Sequence, residues 1–320
     1  MEIVKHFSQN LIENIPQSEE TIHIDLILDG GVFNGSYLIG ALFYLKEMEH
    51  RDHYHIDRIS GCSIGSLSAL LYHIDALNVA SDLYERTIIH IKKHGNIDIM
   101  NTMFTIIKPL MPANICDTMT NRVFITYYNI QSGKKVVKSV YKSVDDIFST
   151  IKKSCFYPFL INGQPLYKDK YVDGMTPYIF PPINNNNKNK KIMYLYLLGY
   201  DKLFHLFSVK NETNNFQRIL SGLLDIHSFH VNKRDTLMCS FVNHSSLSFI
   251  IYNYVLKSFF EYIAFLILYL YLHLRDIFAK SKWFNENKYT KNNRLYRLLY
   301  KCLSKWLKKA YIFLLKHYCI

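Results

Sequence analysis

The chain has 320 residues, enough to bury a full hydrophobic core, and its 49% hydrophobic and 15% aromatic content excludes a wholly disordered protein. Its formal net charge is +12, but ten of the Lys and Arg residues lie in residues 282–320, beside a single acidic residue. That segment therefore carries +9 and leaves +3 to residues 1–281, so the basic character belongs to the C-terminal tail. One domain with an appendage is the expected organisation.

Cysteine spacing and the first residues of the chain indicate its compartment. The six cysteines form no C-x-x-C pair and have no histidine at zinc-ligand spacing, so free thiols in a reducing compartment are expected. The first eight residues lack the apolar run of a secretory signal peptide. We see no calcium-loop pattern either. We therefore expect an intracellular protein that is not secreted and that needs no metal or other cofactor.

The N-terminal part of the chain reads as a strand, a Gly-rich turn and a helix. Residues 1–21 are polar and are predicted to be a short lead-in. Residues 22–28 are β-branched and aliphatic, which is typical of a buried strand, and they end at Asp29-Gly30-Gly31. A helical pattern follows over about 36–49.

A second strand, over residues 55–60, leads into Gly61-Cys62-Ser63-Ile64-Gly65, and a helical pattern covers 64–74. This order of strand, G-x-S-x-G turn and helix is what a nucleophile elbow requires. The turn strains the backbone at the serine, and only glycine on either side leaves room for it. The geometry would place Ser63 Oγ at a helix N-terminus, where free N–H groups favour a developing negative charge. Ser63 is therefore the candidate nucleophile.

Further elements follow the elbow. In chain order they are a helix over 76–93, a Met-rich cover over 95–120, a hairpin of strands 123–128 and 135–141, a helix over 144–155 capped by Ser143, strands over 166–172 and 192–198, and a helical stretch over 212–245. The strand over 166–172 delivers Asp173-Gly174. A lone Asp-Gly pair is usually a turn, so the strand before it is what marks Asp173 as a candidate.

The three motifs occur in a fixed order: the Gly-rich turn that starts at Asp29, the elbow around Ser63, and Asp173-Gly174. In this order they resemble the oxyanion loop, the nucleophile elbow and the Asp-Gly motif of the patatin-like phospholipase family, over residues 22–200. The resemblance implies a three-layer α/β fold with a mostly parallel central sheet flanked by helices, here with a helical C-terminal extension. It also implies a lipid acyl hydrolase that acts on a glycerolipid or phospholipid.

The same resemblance implies the role of each site residue. Ser63 would be the nucleophile of a dyad without histidine, and Asp173 would be its base. The amides of Gly30, Gly31 and Val32 would form the oxyanion hole. Asp29, Gly35, Gly61, Gly65 and Gly174 would support the motifs. A carboxylate with the ordinary pKa of about 3.9 is a weak base, so we expect burial to raise the pKa of Asp173.

Three positions depart from the family pattern and leave a different class of function open. Val32 and Asn34 stand where the family's loop has glycine and arginine, and Met175 stands where it often has a small residue. A β-branched residue resists positive φ, and Asn34 keeps a donor but lacks the charge. A weakly active or inactive protein that binds membranes as a scaffold is therefore the alternative to an enzyme.

A Ser-His-Asp triad is the alternative mechanism. The order Ser63, Asp173 and then a histidine is the order found in α/β-hydrolases. Several downstream histidines satisfy it, among them His205, His227, His230 and His244. With 14 histidines in the chain, a correctly ordered one is also expected by chance.

Residues 247–274 are strongly apolar and contain Lys257 and Glu261 as their only formal charges. The two are four residues apart and could pair on one face of a helix. Three interpretations stay open: a helix packed on the catalytic domain, a helix in the membrane interface, and a helix that spans the bilayer.

The last helical pattern, over 295–314, has an apolar stripe with Trp306 and basic residues on its other sides. This pattern is typical of a helix on an anionic membrane surface, although an ordinary packing helix with a solvated basic face shows it too. Nucleic acid ranks lowest as a partner, because the other motifs point to a lipid esterase. The predicted divisions are a lead-in over 1–21, a catalytic domain over 22–200, a helical continuation over 201–246, and a membrane-associating region over 247–320.

Overall fold

A computed structural model describes residues 1–16, 20–181, 189–242, 249–283 and 291–319. The strands of its sheet are β1 (Ile22–Leu28), β2 (Tyr54–Cys62), β3 (Val123–Asn129), β4 (Lys134–Lys138), β5 (Tyr171–Asp173), β6 (Lys190–Leu195) and β7 (Cys239–Phe241). The α-helices are α1 (Glu2–Glu13), α2 (Gly35–His50), α3 (Ile64–His73), α4 (Ala80–His94), α5 (Met100–Ile107), α6 (Ile115–Met119), α7 (Val144–Ser154), α8 (Phe216–Asn232), α9 (Phe249–Trp283) and α10 (Lys291–Leu314). Short 3-10 helices lie at Val32–Asn34, Leu77–Val79, Lys108–Leu110 and Leu203–Leu206, and a π-helical turn lies at Leu315–Cys319.

The sheet has a parallel centre and antiparallel edges. Its strand order is β4-β3-β2-β1-β6-β7, and β5 also pairs with β3. The pairs of β1 with β2, β1 with β6 and β2 with β3 are parallel, while β4, β5 and β7 join as antiparallel strands. The predicted α/β class with a mostly parallel sheet and flanking helices is confirmed.

Both faces of the sheet are covered, and residues 26–28 of its central strand β1 are all apolar and buried. On one face, Leu26 and Leu28 of β1 belong to the main core with residues of α2, α3 and α8. Ile27 points to the other face, where it packs in a second cluster with Phe180 and Tyr194. The two clusters give the three-layer arrangement.

Three predicted elements differ from the structure. The predicted lead-in contains helix α1, because Val4 and Ile12 lie on the apolar face of an amphipathic segment and are buried in the core. The strand predicted over 166–172 is confined to Tyr171–Asp173, since only these residues find a partner in β3. The helical stretch predicted over 212–245 ends at Asn232, and β7 follows as an edge strand on β6.

Helix α9 packs lengthwise on the catalytic domain. Phe265, Leu268 and Tyr271 are buried on one of its faces, and the ring of Phe265 stacks on Tyr128 at 4.1 Å. Residues 252–277 are long and apolar enough to cross a membrane by length and composition alone. Among the described side chains, Lys257 and Glu261 do not pair with each other; both turn into the catalytic domain. One face of this segment therefore packs against the rest of the molecule, and the predicted division between 246 and 247 lies outside the described residues.

Helix α10 folds back beside α9 and returns the chain to the catalytic domain. Tyr311 Oη donates to the carbonyl of Gly95 at 3.2 Å. The amides of Val209 and Lys210 both donate to the carbonyl of Tyr318, and Cys319 is buried. The two C-terminal helices thus form one wall of the molecule beside the residues described next.

Candidate active site

Ser63 stands at the turn between β2 and α3, where the elbow was predicted. Its backbone has φ 50° and ψ −129°, a conformation that L-residues adopt only under strain. The turn is tight enough that a Cβ on Gly61 would lie 2.6 Å from the carbonyl oxygen of Gly65. Glycine on both sides of the serine is therefore a steric requirement, and helix α3 begins at the residue after Ser63.

Asp173 reaches Ser63 because two strands share one edge of β3. Strand β2 pairs with β3 only as far as Cys62 opposite Thr126. Strand β5 pairs with the next residues of β3 and places Asp173 opposite Tyr127. Since β4 occupies the other edge of β3 at these positions, β5 continues the line of β2. The end of β2 and the end of β5 therefore meet, and they present Ser63 and Asp173 to each other.

The two side chains lie beside each other in a buried setting. Asp173 is 2% exposed, its carboxylate accepts from the amide of Met175 at 2.8 Å, and the neighbouring Ser63 side chain acts to lower its pKa. Burial raises the pKa of Asp173 from 3.8 to about 6, against the opposing effect of these two groups and of the Lys257 charge. The carboxylate is thus both placed and tuned to accept a proton near neutral pH.

The predicted oxyanion loop lies against the serine. A Cβ on Gly30 would lie 3.1 Å from Ser63 Cβ. Within the described ranges, no acceptor is seen for the amides of Gly30 and Gly31, and Val32 begins a 3-10 helix, so its amide has no intrahelical partner. Val32 adopts φ 45° despite its β-branched side chain. Valine disfavours positive φ, so the surrounding packing must hold Val32 in this strained conformation, as is common at functional sites.

Asn34 holds the loop in place through its side-chain hydrogen bonds, a role that the sequence did not predict. Its side-chain amide is fully buried and donates to the carbonyls of Leu197 at 3.1 Å and Lys202 at 2.9 Å. Its oxygen accepts from Arg218 Nη1 of α8 at 2.9 Å. The donor that Asn34 was expected to keep is therefore used inside the loop, and the guanidinium nearest to it comes from a different helix and pairs with Glu212.

The remaining motif residues fix the distances between the three motifs. A Cβ on Gly35 would lie 2.2 Å from Ile64, one on Gly65 would lie 2.6 Å from the carbonyl oxygen of Asp29, and one on Gly174 would lie 2.7 Å from the carbonyl oxygen of Thr126. These approaches bring the loop, the elbow and the Asp-Gly turn together. Any side chain at these glycines would push the motifs apart.

Asp29 holds the loop to α9. Its carboxylate is fully buried and forms an ion pair with Lys257, which is itself 9% exposed. It also accepts from Tyr194 Oη at 3.3 Å and from the amide of Leu197 at 3.2 Å. Burial alone would lower the pKa of Lys257, but Asp29 outweighs it and the pKa is raised. The oxyanion loop is therefore anchored by a charge from the C-terminal region.

One turn further along α9, Glu261 makes a second anchor. Its carboxylate accepts from Thr176 Oγ1 at 2.7 Å and pairs with Lys135 Nζ at 3.3 Å. Thr176 lies three residues after Asp173, and its carbonyl accepts from Thr126 Oγ1 at 3.1 Å. Helix α9 thus contacts the segments that carry both the oxyanion loop and the acidic residue.

The histidines that a triad would need are engaged elsewhere. The Nδ1 atoms of His205, His227 and His230 lie 2.9, 3.3 and 2.7 Å from the hydroxyls of Tyr37, Tyr44 and Tyr54 respectively. None of these three histidines contacts Ser63 or Asp173 in the described structure. His244, the fourth candidate, lies outside the described residues.

Ser63 opens into an apolar cavity of about 140 Å³. We call it the Ser63 cavity; its walls include Ile39, Leu71, Met100, Met103, Tyr157 and Leu160. Met100 and Met103 belong to the segment predicted to cover the site. No charged side chain of the described chain lines this cavity. It is a suitable environment for a hydrocarbon chain attached to the group that meets Ser63.

Comparison with known proteins bears on these motifs directly. Residues 26–88 match the sequence profile of patatin-like phospholipases, a range that holds both the oxyanion loop and the elbow. The resemblance to the patatin-like phospholipase family is confirmed. Two curated relatives align with 44% of this chain. They are the 1-acylglycerol-3-phosphate O-acyltransferases Pnpla3 of Mus musculus, 26% identical over 157 residues, and PNPLA3 of Homo sapiens, 30% identical over 158 residues.

The alignment covers 37% of the mouse protein and 31% of the human one, so the chain matches about a third of their length.

The site also contains supporting residues that its motifs did not predict. Ser154 accepts a hydrogen bond from the amide of Ser63 at 2.9 Å and donates to the carbonyl of Thr126 at 2.7 Å, which fixes the elbow. Arg218 and Lys257 hold the oxyanion loop from α8 and α9.

One cluster of possible metal ligands lies at the other end of the patatin-like sheet. His23, His55 and Asp57 sit at the start of β1 and β2, with ligand atoms within 4.8 Å of one another. Lys190 Nζ lies 2.8 Å from Asp57 and already supplies a positive charge there. This cluster is remote from Ser63, which follows the opposite end of β2.

Proposed function

We propose that the protein transfers acyl groups from glycerolipid or phospholipid esters, with hydrolysis as its main reaction. The observation that carries the proposal is the meeting of Ser63, held at a strained elbow at the end of β2, with the buried Asp173 at the end of β5, whose pKa is raised to about 6. A nucleophile within reach of a base of suitable pKa is the arrangement that ester cleavage requires. The confirmed family resemblance supports the same chemistry.

In the acylation step, Asp173 takes the proton of Ser63 as Oγ attacks the ester carbonyl carbon. The new Oγ–C bond gives a tetrahedral intermediate whose negative oxygen faces the amides of the oxyanion loop, Gly30, Gly31 and Val32, and the N-terminus of α3. When the intermediate collapses, the ester C–O bond breaks and the proton on Asp173 passes to the departing alkoxide. The products are an acyl-serine and an alcohol, for example a lysolipid.

In the second step, Asp173 takes a proton from an incoming hydroxyl group while that oxygen attacks the acyl-serine. Water as the attacking molecule gives a free fatty acid, and the proton returns to Ser63 Oγ as it leaves. An alcohol in its place gives a new ester, which is the second candidate function. The names of the mouse and human relatives support this second candidate, because both are 1-acylglycerol-3-phosphate O-acyltransferases. The same two side chains serve both reactions.

Acyl release from mixed phospholipid vesicles tests the proposal. We expect the wild type to release fatty acid in the presence of EDTA, and Ser63→Ala to lower the rate by at least about 10³-fold because the nucleophile is gone. Adding lysophosphatidic acid to the assay separates transfer from hydrolysis by its new diacyl product. A wild type that releases no fatty acid and forms no new ester, yet binds vesicles, would instead support the scaffold alternative.

We further propose that the protein works on a membrane surface and contacts it through α9 and α10. The face of α9 turned away from the catalytic domain exposes apolar side chains that include Phe259, Phe260 and Leu270. Its charges over residues 252–274, Lys257 and Glu261, both point inward. Exposed apolar surface of this extent marks an interaction site, and basic residues of α10 beside it suit anionic lipid.

Vesicle binding tests this part of the proposal. Substitution of three exposed lysines of α10 by glutamine is expected to weaken binding to vesicles that contain phosphatidylserine by about 100-fold, from about 1 kcal/mol per lysine. The three are Lys301, Lys305 and Lys309. Each substitution removes an ammonium group that is attracted to the negative membrane surface. Co-sedimentation at low ionic strength measures the resulting loss of binding.

A matched triple variant outside α9 and α10 provides the control. Lys5, Lys134 and Lys142 are also exposed, and their replacement by glutamine removes the same charge. Binding should change little in this control. Equal weakening by both triple variants would mean that net charge alone, and no particular face, attracts the protein to the vesicle.

A further inference from the structure

A second apolar cavity lies on the other side of the dyad. It measures about 320 Å³, and we call it the Asp173 cavity. Its walls come from the 157–160 segment, from Asp173 and Met175, and from the two C-terminal helices, which contribute Ala264 and Leu268 of α9 and Trp306 and Ala310 of α10 among others. Asp173 is the sole charged group among its described lining residues.

The two cavities meet at the reacting groups. Ser63 lines the first and Asp173 lines the second, and these two side chains lie beside each other. Tyr157 and Leu160 belong to the walls of both cavities, so the 157–160 segment separates them. A molecule with its carbonyl at Ser63 therefore has two apolar spaces within reach, one on either side of the bond to be broken.

The lining of the Asp173 cavity suits a hydrocarbon chain. The hydroxyl of Tyr311 is already used in its bond to the Gly95 carbonyl. The ring of Tyr271 packs against Tyr300 and, at 5.1 Å, against Phe159. A polar ligand would find few partners here, whereas apolar atoms would gain by leaving water.

We propose that the Asp173 cavity binds the second acyl chain of a two-chain glycerolipid, while the chain being cleaved lies in the Ser63 cavity. This inference rests on the proposed function and adds the substrate class to it: lipids with two neighbouring acyl esters. Helices α9 and α10 then have a role in substrate selection, because they build the greater part of this cavity. A one-chain substrate fills only the Ser63 cavity and leaves the second cavity without a ligand.

Filling the Asp173 cavity tests the inference. Ala264→Phe and Ala310→Phe each place a phenyl ring in it, from α9 and from α10 respectively. Acyl release is measured in detergent micelles on phosphatidylcholine, phosphatidylethanolamine and phosphatidic acid, and on the one-chain lyso form of each. One methylene group missing from a substrate that fills a hydrophobic pocket lowers kcat/KM by about 10-fold or more, so loss of the whole second chain from its cavity should have at least this effect. We therefore expect the ratio of kcat/KM for two-chain over one-chain lipid to fall by at least about 10-fold.

Ala113→Phe is the matched control, since Ala113 is exposed in a loop away from both cavities. It should leave the ratio unchanged. Two variants from different helices guard against a folding defect in either one, which circular dichroism would reveal. An unchanged ratio in both folded cavity variants, with the wild type active, would overturn this inference alone. A wild type that acts on none of the six lipids would overturn the proposed function, and this inference with it.

Discussion

Asp173→Asn is expected to abolish acyl release while making the protein more stable. Asparagine keeps the acceptor for the Met175 amide but cannot take the proton of Ser63, so the rate should fall by at least about 10³-fold. Stability should rise, because the charged carboxylate of Asp173 is buried at a cost that the neutral amide avoids. Activity and stability are thus expected to move in opposite directions at one residue.

The pKa of Asp173 sets the size and the pH range of this effect. Its value of about 6 lies above the ordinary value of 3.8, so the folded state holds this proton more tightly than the unfolded state. The favourable contribution is therefore complete below about pH 3.8 and lost as pH rises through about 6. At pH 7.5 the variant should gain on the order of 2–3 kcal/mol over the wild type, from about 1.36 kcal/mol per pH unit.

Urea denaturation at pH 4 and pH 7.5 measures this difference, and the gain should be small at the lower pH. Asp235→Asn supplies a control, because Asp235 is exposed and should change stability by no more than about 0.5 kcal/mol. The wild-type kcat/KM should rise with pH through about 6, as Asp173 loses its proton. Wild-type activity in Asp173→Asn would show that Asp173 is not the base, and a histidine would then be the candidate base.

Lys257→Met is expected to lower the free energy of unfolding by about 3–5 kcal/mol. The substitution leaves the fully buried Asp29 carboxylate with only Tyr194 and the Leu197 amide as partners. Breaking a buried ion pair from one side costs this much, because the remaining charge stays without compensation. Since Asp29 begins the oxyanion loop, acyl release should fall as well. Urea denaturation and the vesicle assay measure the two effects.

A second substitution separates loss of the charge pair from loss of the side chain. Adding Asp29→Asn to Lys257→Met removes both charges and should restore most of the lost stability. Lys301→Met, on the exposed surface of α10, should cost less than about 0.5 kcal/mol. A loss of under 1 kcal/mol in Lys257→Met would contradict the view that α9 is anchored to the catalytic domain through Asp29.

Local sequence patterns were sufficient for the central elements of the fold. The β-branched run over 22–28 is strand β1, and Ser143 caps α7 by accepting from the Asp146 amide at 3.1 Å. Strand β7 could not be found this way, because three residues carry no periodicity and its partner β6 lies more than forty residues earlier in the chain. Helix α1 was missed because its segment was classed as polar, although apolar residues such as Val4, Leu11 and Ile12 recur in it at helical spacing.

In the active site, too, residues in local motifs could be predicted, whereas residues that act through long-range contacts could not. Ser63 and Asp173 were identified because each lies in a short motif, and the structure brings them together. Ser154, Arg218 and Lys257 support the site through contacts between distant parts of the chain, and no local pattern marks such residues. Lys257 and Glu261 show the limit most clearly. Their spacing of four residues suggested a pair on one helix face, whereas Lys257 pairs with the buried Asp29 and Glu261 accepts a hydrogen bond from the buried Thr176.

If Ser63 is an activated nucleophile, a fluorophosphonate should label it covalently. The reagent bonds to a serine oxygen only when a neighbouring base removes its proton, and it needs no knowledge of the lipid substrate. After digestion, mass spectrometry should find the adduct on the peptide that contains Ser63, with labelling lost in Ser63→Ala and strongly slowed in Asp173→Asn. A folded wild-type protein that stays unlabelled at Ser63, or that is labelled at another residue, would contradict the account.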